Sequence, residues 1–308
     1  MGTQSNRMGA PNAIEVTLDG RPVRLTSLDR VLWPEAGLTK GWMLQAYTSL
    51  APVLLPQIRG HPLTMWRYPE GVHRQGWWQN ECRGAPSWAR VYRYTGEDGR
   101  EHAHCVVDDV SSLLWLVNLG TVEVHPFLFA ADDPPTPTSL VFDLDPGEPA
   151  GLRETCRVAI RLRTVLADQR LVSVAKTSGG TGLHVYVPLN TPVTFEETKA
   201  YARTVATYLT DEMPDDVVDR QARRLRPGKV LVDWMQNDRF RSTVAAYSLR
   251  ATSVPRVSTP VTWEEVAAVG EGADERALEF GLEDVLRRLE RDGDLFGPVT
   301  TLAQQLVP

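Results

Sequence analysis

Cysteine is scarce in this 308-residue chain: Cys82, Cys105 and Cys156 are the only three. They form no paired framework, which excludes a small secreted scaffold held by disulfides and points to a reducing cytosol. Long apolar runs are missing too, so no segment reads as a membrane-spanning helix, and no signal peptide is visible. An excess of positive charge is also missing. A net charge of −6 excludes general coating of nucleic acid but leaves room for a local basic track. Arg220, Arg223, Arg224, Arg226 and Lys229 lie in one such run, without an acid. The same run reads equally as a solvated helix face. There is no internal repeat, low-complexity segment or composition break. At 42% hydrophobic and 23% charged, the chain has the make-up of a globular protein. Its length allows one large domain or two small ones, with a core that needs no staples.

The chemistry gathers around Ser139-Leu-Val-Phe-Asp-Leu-Asp-Pro-Gly147. Leu140, Val141 and Phe142 favour a strand, and Pro146-Gly147 is a turn signal. Residues i and i+2 of a strand share a face, so Asp143 and Asp145 project together where the strand ends. Two such carboxylates repel, and a hard divalent cation such as Mg²⁺ or Mn²⁺ removes the repulsion. An isolated pair of this kind is also compatible with a solvated surface turn.

Upstream, residues 1–13 read as a disordered arm. Ile14 to Leu25 reads as a hairpin about Asp19-Gly20, and Ser27 to Pro34 as a short capped helical turn. Thr39 is placed to cap a helix from Lys40 to about Ile58. Pro62–Pro69 and Gly76–Glu81 look like strands. Arg67, Trp77 and Trp78 there suit a nucleic-acid strand, since aromatic faces stack on bases and Arg pairs with phosphate; the two tryptophans suit a core as well. A second hairpin follows about Gly96–Gly99. His102, His104, Cys105 and Cys82 lack the paired spacing of structural zinc sites. Ser111–Leu119 is a short helix closed by Gly120. His125 ends the strand Thr121–Pro126 and on local grounds reads as structural.

Past the acidic strand come a helix from about Gly151 to Ala167 and a strand from Val172 to Lys176. Next is Thr177-Ser-Gly-Gly-Thr-Gly-Leu-His-Val-Tyr-Val187. Its glycines let backbone N–H groups approach an anion, though the Walker Lys-Ser/Thr ending is absent. Ser178 and His184 are thus candidates to meet phosphate above the acidic strand. The alternation of Leu183, Val185 and Val187 with His184 and Tyr186 predicts a half-buried strand. Thr194 caps a helix to about Thr210. Lys229–Trp234 repeats the pattern of an apolar run ending in an acid, Asp233, the third carboxylate a two-metal phosphoryl-transfer site needs. Gln236, Asn237, Arg239 and Arg241 follow, then a strand-like Thr243–Arg250. Residues 255–260 read as a linker before two helices, Glu264–Ala268 and Leu282–Arg291.

Val-Phe-Asp-Leu-Asp-Pro-Gly, Thr-Ser-Gly-Gly-Thr-Gly-Leu-His-Val-Tyr, Val-Asp-Trp-Met-Gln-Asn and Ala-Tyr-Ser-Leu-Arg occur here in that order. Together they resemble the polymerase domain of bacterial DNA ligase D, in the archaeo-eukaryotic primase superfamily, from about Thr26 to Gly293. The resemblance implies an α+β fold: a primase-like catalytic core of mixed or antiparallel sheet with flanking helices over 121–308, beside a smaller N-terminal subdomain over 14–120. It implies a primer-extending polymerase that depends on two Mn²⁺ or Mg²⁺ ions, prefers ribonucleotides and fills gaps at DNA ends. Asp143, Asp145 and Asp233 match the metal-binding acids. Ser178, His184 and Arg250 match residues that hold the nucleotide triphosphate, and His125 a histidine near that nucleotide. Arg30 and Lys40, with Ser27, match a pocket for a downstream 5′-phosphate, and Trp77-Trp78 a Phe-Phe pair on the template. Broken or gapped DNA, nucleoside triphosphates, a DNA ligase and Ku are the implied partners, in a bacterial cytosol.

The sequence departs from that pattern at Thr181, Trp66 and Asn80, where the family usually has lysine. Arg250, Arg241 and Arg67 would then carry more of the phosphate charge. No Lys-x-Asp-Gly ligase signature is present, which fits a stand-alone member. The lost lysines motivate an alternative, a DNA-end-binding module with weak or no synthesis. A metal-dependent nuclease using the same acids is a further one, opposed by the triphosphate-type contacts.

Overall fold

The computed structural model describes residues 13–96 and 98–306. The expected N-terminal arm lies outside the described residues except for Ala13, which opens the first strand. β1 (Ala13–Leu18) and β2 (Arg21–Thr26) form the hairpin about Asp19-Gly20. β3 (Val31–Trp33) and β4 (Leu38–Thr39) lead into α1 (Lys40–Ile58). Thr39 caps that helix, its hydroxyl accepting from the Trp42 amide at 3.2 Å. β5 (Pro62–Arg67), β6 (Trp77–Gln79), β7 (Arg90–Thr95), β8 (Glu101–Val106), α2 (Val110–Asn118) and β9 (Thr121–Pro126) complete the N-terminal part. β5 is the spine of its sheet. It pairs with β9 along one edge and with β8 and then β6 along the other.

The second half contributes β10 (Ser139–Pro146), α3 (Leu152–Asp168), β11 (Val174–Thr177), β12 (Leu183–Pro188), α4 (Phe195–Glu212), β13 (Val217–Val218) and β14 (Val230–Asp233). β15 (Leu249–Arg250), β16 (Arg256–Val257), β17 (Pro260–Val261), α5 (Trp263–Glu271), α6 (Leu282–Asp292) and α7 (Pro298–Thr301) follow. Six of these strands form one sheet in the order β13-β14-β10-β12-β11-β17, antiparallel except for β13 with β14.

Strand alternation divides this sheet into an apolar and a chemical face. Leu140, Phe142, Leu144, Leu183, Val185, Val187, Val230 and Val232 share one face and are fully buried. α3 lies against this sheet. Asp143, Asp145, His184, Lys176, Tyr186 and Asp233 share the other face. β12 is buried on both faces rather than half-buried, because it is central and its polar side is covered in turn: Tyr186 bonds Thr243 and packs on Phe296, and the neighbouring Lys176 bonds Ser258.

Several expectations are corrected. Ser27–Pro34 is not helical. Ser27 sits at φ 55, and Val31–Trp33 pair with β4 instead. Thr243–Arg250 is not a continuous strand: Tyr247, at φ 67, breaks the alternation, and only Leu249–Arg250 pairs. Residues 255–260 are no linker, since Arg256–Val257 pairs with β15 and Pro260–Val261 forms the sheet edge, where proline costs no central ladder bond. The basic run forms turns and one 3-10 turn at Arg223–Leu225, not a helix face. Cys82 and Cys105 are bonded to each other, with Cα atoms 4.9 Å apart, so a paired bridge exists after all and only Cys156 is free. Neither bonded sulfur can serve as a zinc thiolate. The odd count hid the pair. Its partners lie far apart in sequence, and only the β5–β8 pairing and the return of the β6 loop, through the Cys82 amide to the Ala103 carbonyl, bring them together. β9, expected within the catalytic core, pairs with β5 in the N-terminal sheet.

Candidate active site

Asp143 lies at the centre of a row that crosses four strands. It is the direct cross-strand partner of Asp233 on β14 and of His184 on β12, and His184 in turn faces Lys176 on β11. Directly opposed residues in antiparallel strands have Cα atoms about 4.5–5.5 Å apart, so Asp143 and Asp233 are held well within the reach of one ionic site. Asp145 stands on the same face, at the strand end.

Each carboxylate has its own surroundings. Asp233 Oδ2 accepts from Gln221 at 2.7 Å and Gln236 at 3.1 Å, and Oδ1 from the Met235 amide at 2.9 Å. Asp145 faces Arg226 across 3.8 Å. Asp143 Oδ1 lies 3.2 Å from His184 Nε2 but is buried without a well-aligned hydrogen bond among the described residues. Burial, then the charges of Asp143 and Asp233, push the Asp145 carboxyl up to about 6. Burial and Asp143 likewise raise Asp233. Burial opposes charge on Asp143 too, yet His184, Lys176 and Arg250 hold it below the ordinary range. Burial and then Lys176 lower His184 to about 4. Mutual repulsion and an orphaned buried oxygen are what a hard divalent cation would relieve. The donor set therefore fits such an ion. The side chains nevertheless turn to separate protein partners, and among the described residues no three His, Cys, Asp or Glu side chains converge at metal-holding distance.

The glycine-rich turn joins this site. Gly179 has φ +81, and a Cβ there would lie 2.3 Å from Arg250 Cγ. A Cβ on Gly182 would lie 2.7 Å from the Leu144 carbonyl and 3.3 Å from Asp145 Oδ1. Only glycine allows this approach. Ser178 Oγ lies within the turn, accepting from the Gly180 and Gly182 amides at 3.3 and 3.2 Å. Thr181 is exposed on this turn; Arg241 is also exposed, beside Ser242, which bridges to Phe127. Arg250 reaches across to β9, donating to Glu123 at 2.8 Å, and His125 Nε2 lies 2.9 Å from the same oxygen. Ser178, His184, Arg250 and His125 are thus gathered about the acids. Arg67 is not: its guanidinium donates to the Leu119 carbonyl and Gln79 and lies 5.3 Å over Trp77.

Ser27, Arg30 and Lys40 form a separate cluster. The Lys40 amide donates to the Arg30 carbonyl, and the Arg30 amide to Ser27. Lys40 is buried and donates to the Thr26 carbonyl at 2.7 Å, while Arg30 pairs with Glu70. Trp77 and Trp78 are both 46% exposed, too open for core residues. They point to opposite faces. Trp78 pairs with Trp66 and packs 4.5 Å from the His125 ring, on the side of the acids.

Glu123, Lys176 and Gln221 were missed by sequence reasoning. Glu123 was within reach, being the polar residue two before His125 on an alternating strand. Lys176 carried no separate signal.

The chain matches the sequence family described as "LigD, primase-polymerase domain" over residues 39–296. It is 36% identical over 280 residues to the multifunctional non-homologous end joining protein LigD of Mycolicibacterium smegmatis, covering 90% of this chain and 36% of that protein. Against the bifunctional LigD of Bacillus subtilis the identity is 28%, over 88% of this chain and 43% of the relative. Among solved structures, the polymerase domain of Mycobacterium tuberculosis ligase D in complex with DNA superposes with a TM-score of 0.84 at 35% identity, covering 91% of this chain and 98% of that one. Fold and sequence together place the chain in the primase-polymerase class. More particularly, the chain belongs to the LigD primase-polymerase domain family. It spans 36–43% of the length of these two curated relatives.

Proposed function

We propose that this chain extends primers on a template and fills short gaps at broken DNA in bacterial end joining, by two-metal nucleotidyl transfer with a preference for ribonucleotides. The observation that carries the proposal is the row Asp233–Asp143–His184, with Asp145 at its end and the Ser178–Gly182 turn and Arg250 beside it. Asp143, Asp145 and Asp233 would hold Mn²⁺ or Mg²⁺. Bound there, the ions lower the pKa of a primer 3′-hydroxyl and neutralise the leaving pyrophosphate. Ser178, His184 and Arg250 orient the triphosphate, His125 stands near the incoming nucleotide, and Trp78 supports the template. Arg30, Lys40 and Ser27 receive a 5′-phosphate from the far side of the gap. A ligase and Ku would supply the joining steps.

The test is extension of a labelled primer on a one-nucleotide gap with a 5′-phosphate, comparing ribo- and deoxynucleotides with each metal. Extension is expected from the wild type. Asp143→Asn and Asp233→Asn should abolish it while leaving DNA binding intact. DNA binding without extension in the wild type would favour the end-binding alternative.

A further inference from the structure

Glu123 is 3% exposed, and each of its oxygens is committed. Oε1 accepts from the Ala251 amide at 2.9 Å. Oε2 accepts from Arg250 Nη1 at 2.8 Å and lies 2.9 Å from His125 Nε2. Two of the cationic or imidazole groups on the nucleotide side, Arg250 and His125, therefore meet on one carboxylate oxygen. Among the described residues no other side chain hydrogen-bonds both. We propose that Glu123 is a positioning residue, a clamp that presents Arg250 and His125 to the incoming nucleotide. This rests on the polymerase reading above.

The geometry explains how the clamp acts. With Nη1 held by Glu123, the guanidinium keeps its other edge for a phosphate, and Arg250 Nε on that edge is buried with no hydrogen-bond partner among the described residues. An imidazole that donates Nε2–H to a carboxylate presents Nδ1 as a lone pair when neutral. Burial, against the pull of Glu123, keeps His125 below its ordinary pKa and so neutral near pH 7. Glu123 also pins the backbone at Ala251. The Gly179 turn packs on Arg250, so displacement of the arginine would loosen the Ser178 turn as well.

Three measurements test the clamp: nucleotide affinity with Mn²⁺ by calorimetry, affinity for gapped DNA, and the ¹⁵N spectrum of the imidazoles, with His125 assigned by His125→Gln. Glu123→Gln should weaken nucleotide binding about tenfold, leave DNA affinity unchanged and shift the His125 signals. On an Arg250→Gln, His125→Gln background it should add little, because it acts through those two side chains. In the wild type His125 should be the Nε2–H tautomer. An Nδ1–H tautomer in the wild type overturns the clamp without need of a Glu123 variant. So does unchanged nucleotide affinity in Glu123→Gln, or equal losses of nucleotide and DNA binding. A wild type that binds nucleotide as expected but extends no primer overturns the polymerase reading and leaves the clamp standing.

Discussion

Lys40 combines burial with positive neighbours, and both act on its proton. Burial, then Arg30 and Arg67, lower its pKa to about 8. The unfolded chain titrates near 10.5, so between these values the folded state binds fewer protons and stability rises with pH; below about 8 the full burden of the buried charge is present. Phosphate binding needs the charged form. The preference for gapped DNA with a 5′-phosphate over a 5′-hydroxyl should therefore be strong at pH 7.5 and shrink by about pH 9.5. Lys40→Arg should keep the preference at both, since arginine stays charged. A wild-type preference independent of pH, measured by fluorescence anisotropy, would remove Lys40 from the pocket. Thr181 poses the opposite case, a missing charge. It is exposed on the turn that packs against Arg250 and Asp145, and Arg67 is committed to Leu119. Thr181→Lys should lower the apparent nucleotide KM about tenfold if 1.4 kcal/mol is recovered. An unchanged KM with intact activity would mean that the turn does not reach the triphosphate.

At the scale of elements, the acidic strand depends on a side chain that imitates backbone. Asn237 is fully buried; its Oδ1 accepts from the Val141 amide at 2.8 Å and its Nδ2 donates to the Val141 carbonyl at 2.7 Å. It replaces the neighbouring strand just where β14 has ended. Asn237→Ala would leave both groups buried and unpaired, each at about 1–3 kcal/mol. Denaturant unfolding should show a loss of that order, with Asn237→Asp losing the Nδ2 donor alone; no loss would contradict the strand-mimic role. Such detail was not legible beforehand, although the elements themselves mostly were. Thr39, Thr194 and the Asp19-Gly20 turn carry local chemistry that declares itself in sequence. The acids were legible because strand alternation and strand ends are local too. What escaped was non-local: the Cys82–Cys105 bridge, the pairing of Arg256–Val257 and Pro260–Val261, and the burial of Lys176. Each is decided by which strands become neighbours, which no window of sequence contains.

At the scale of the molecule, a chain of net charge −6 can hold a polyanion only through placed rather than average charge. The basic run is so placed. The Gly147 amide donates to the Lys229 carbonyl at 2.8 Å, and a Cβ on Gly147 would lie 2.2 Å from the Arg226 carbonyl oxygen. The run therefore abuts the turn just beyond Asp145, and Arg220, Arg223 and Arg224 stand exposed along its outer side. If Arg220, Arg223, Arg224, Arg30 and Lys40 each meet a phosphate, about five contacts imply a slope near −4.5 for log affinity against log salt on duplex DNA. Arg223→Ala with Arg224→Ala should weaken binding alike for all sequences and flatten the slope by about 1 per residue lost. Nucleotide KM should stay as it was, because neither residue belongs to the Ser178–Arg250–His125 group. If the slope is unchanged, these arginines are solvated charge only. The negative chain would then have to hold DNA through the Arg30–Lys40 pocket and Trp78, with a correspondingly shallow salt dependence.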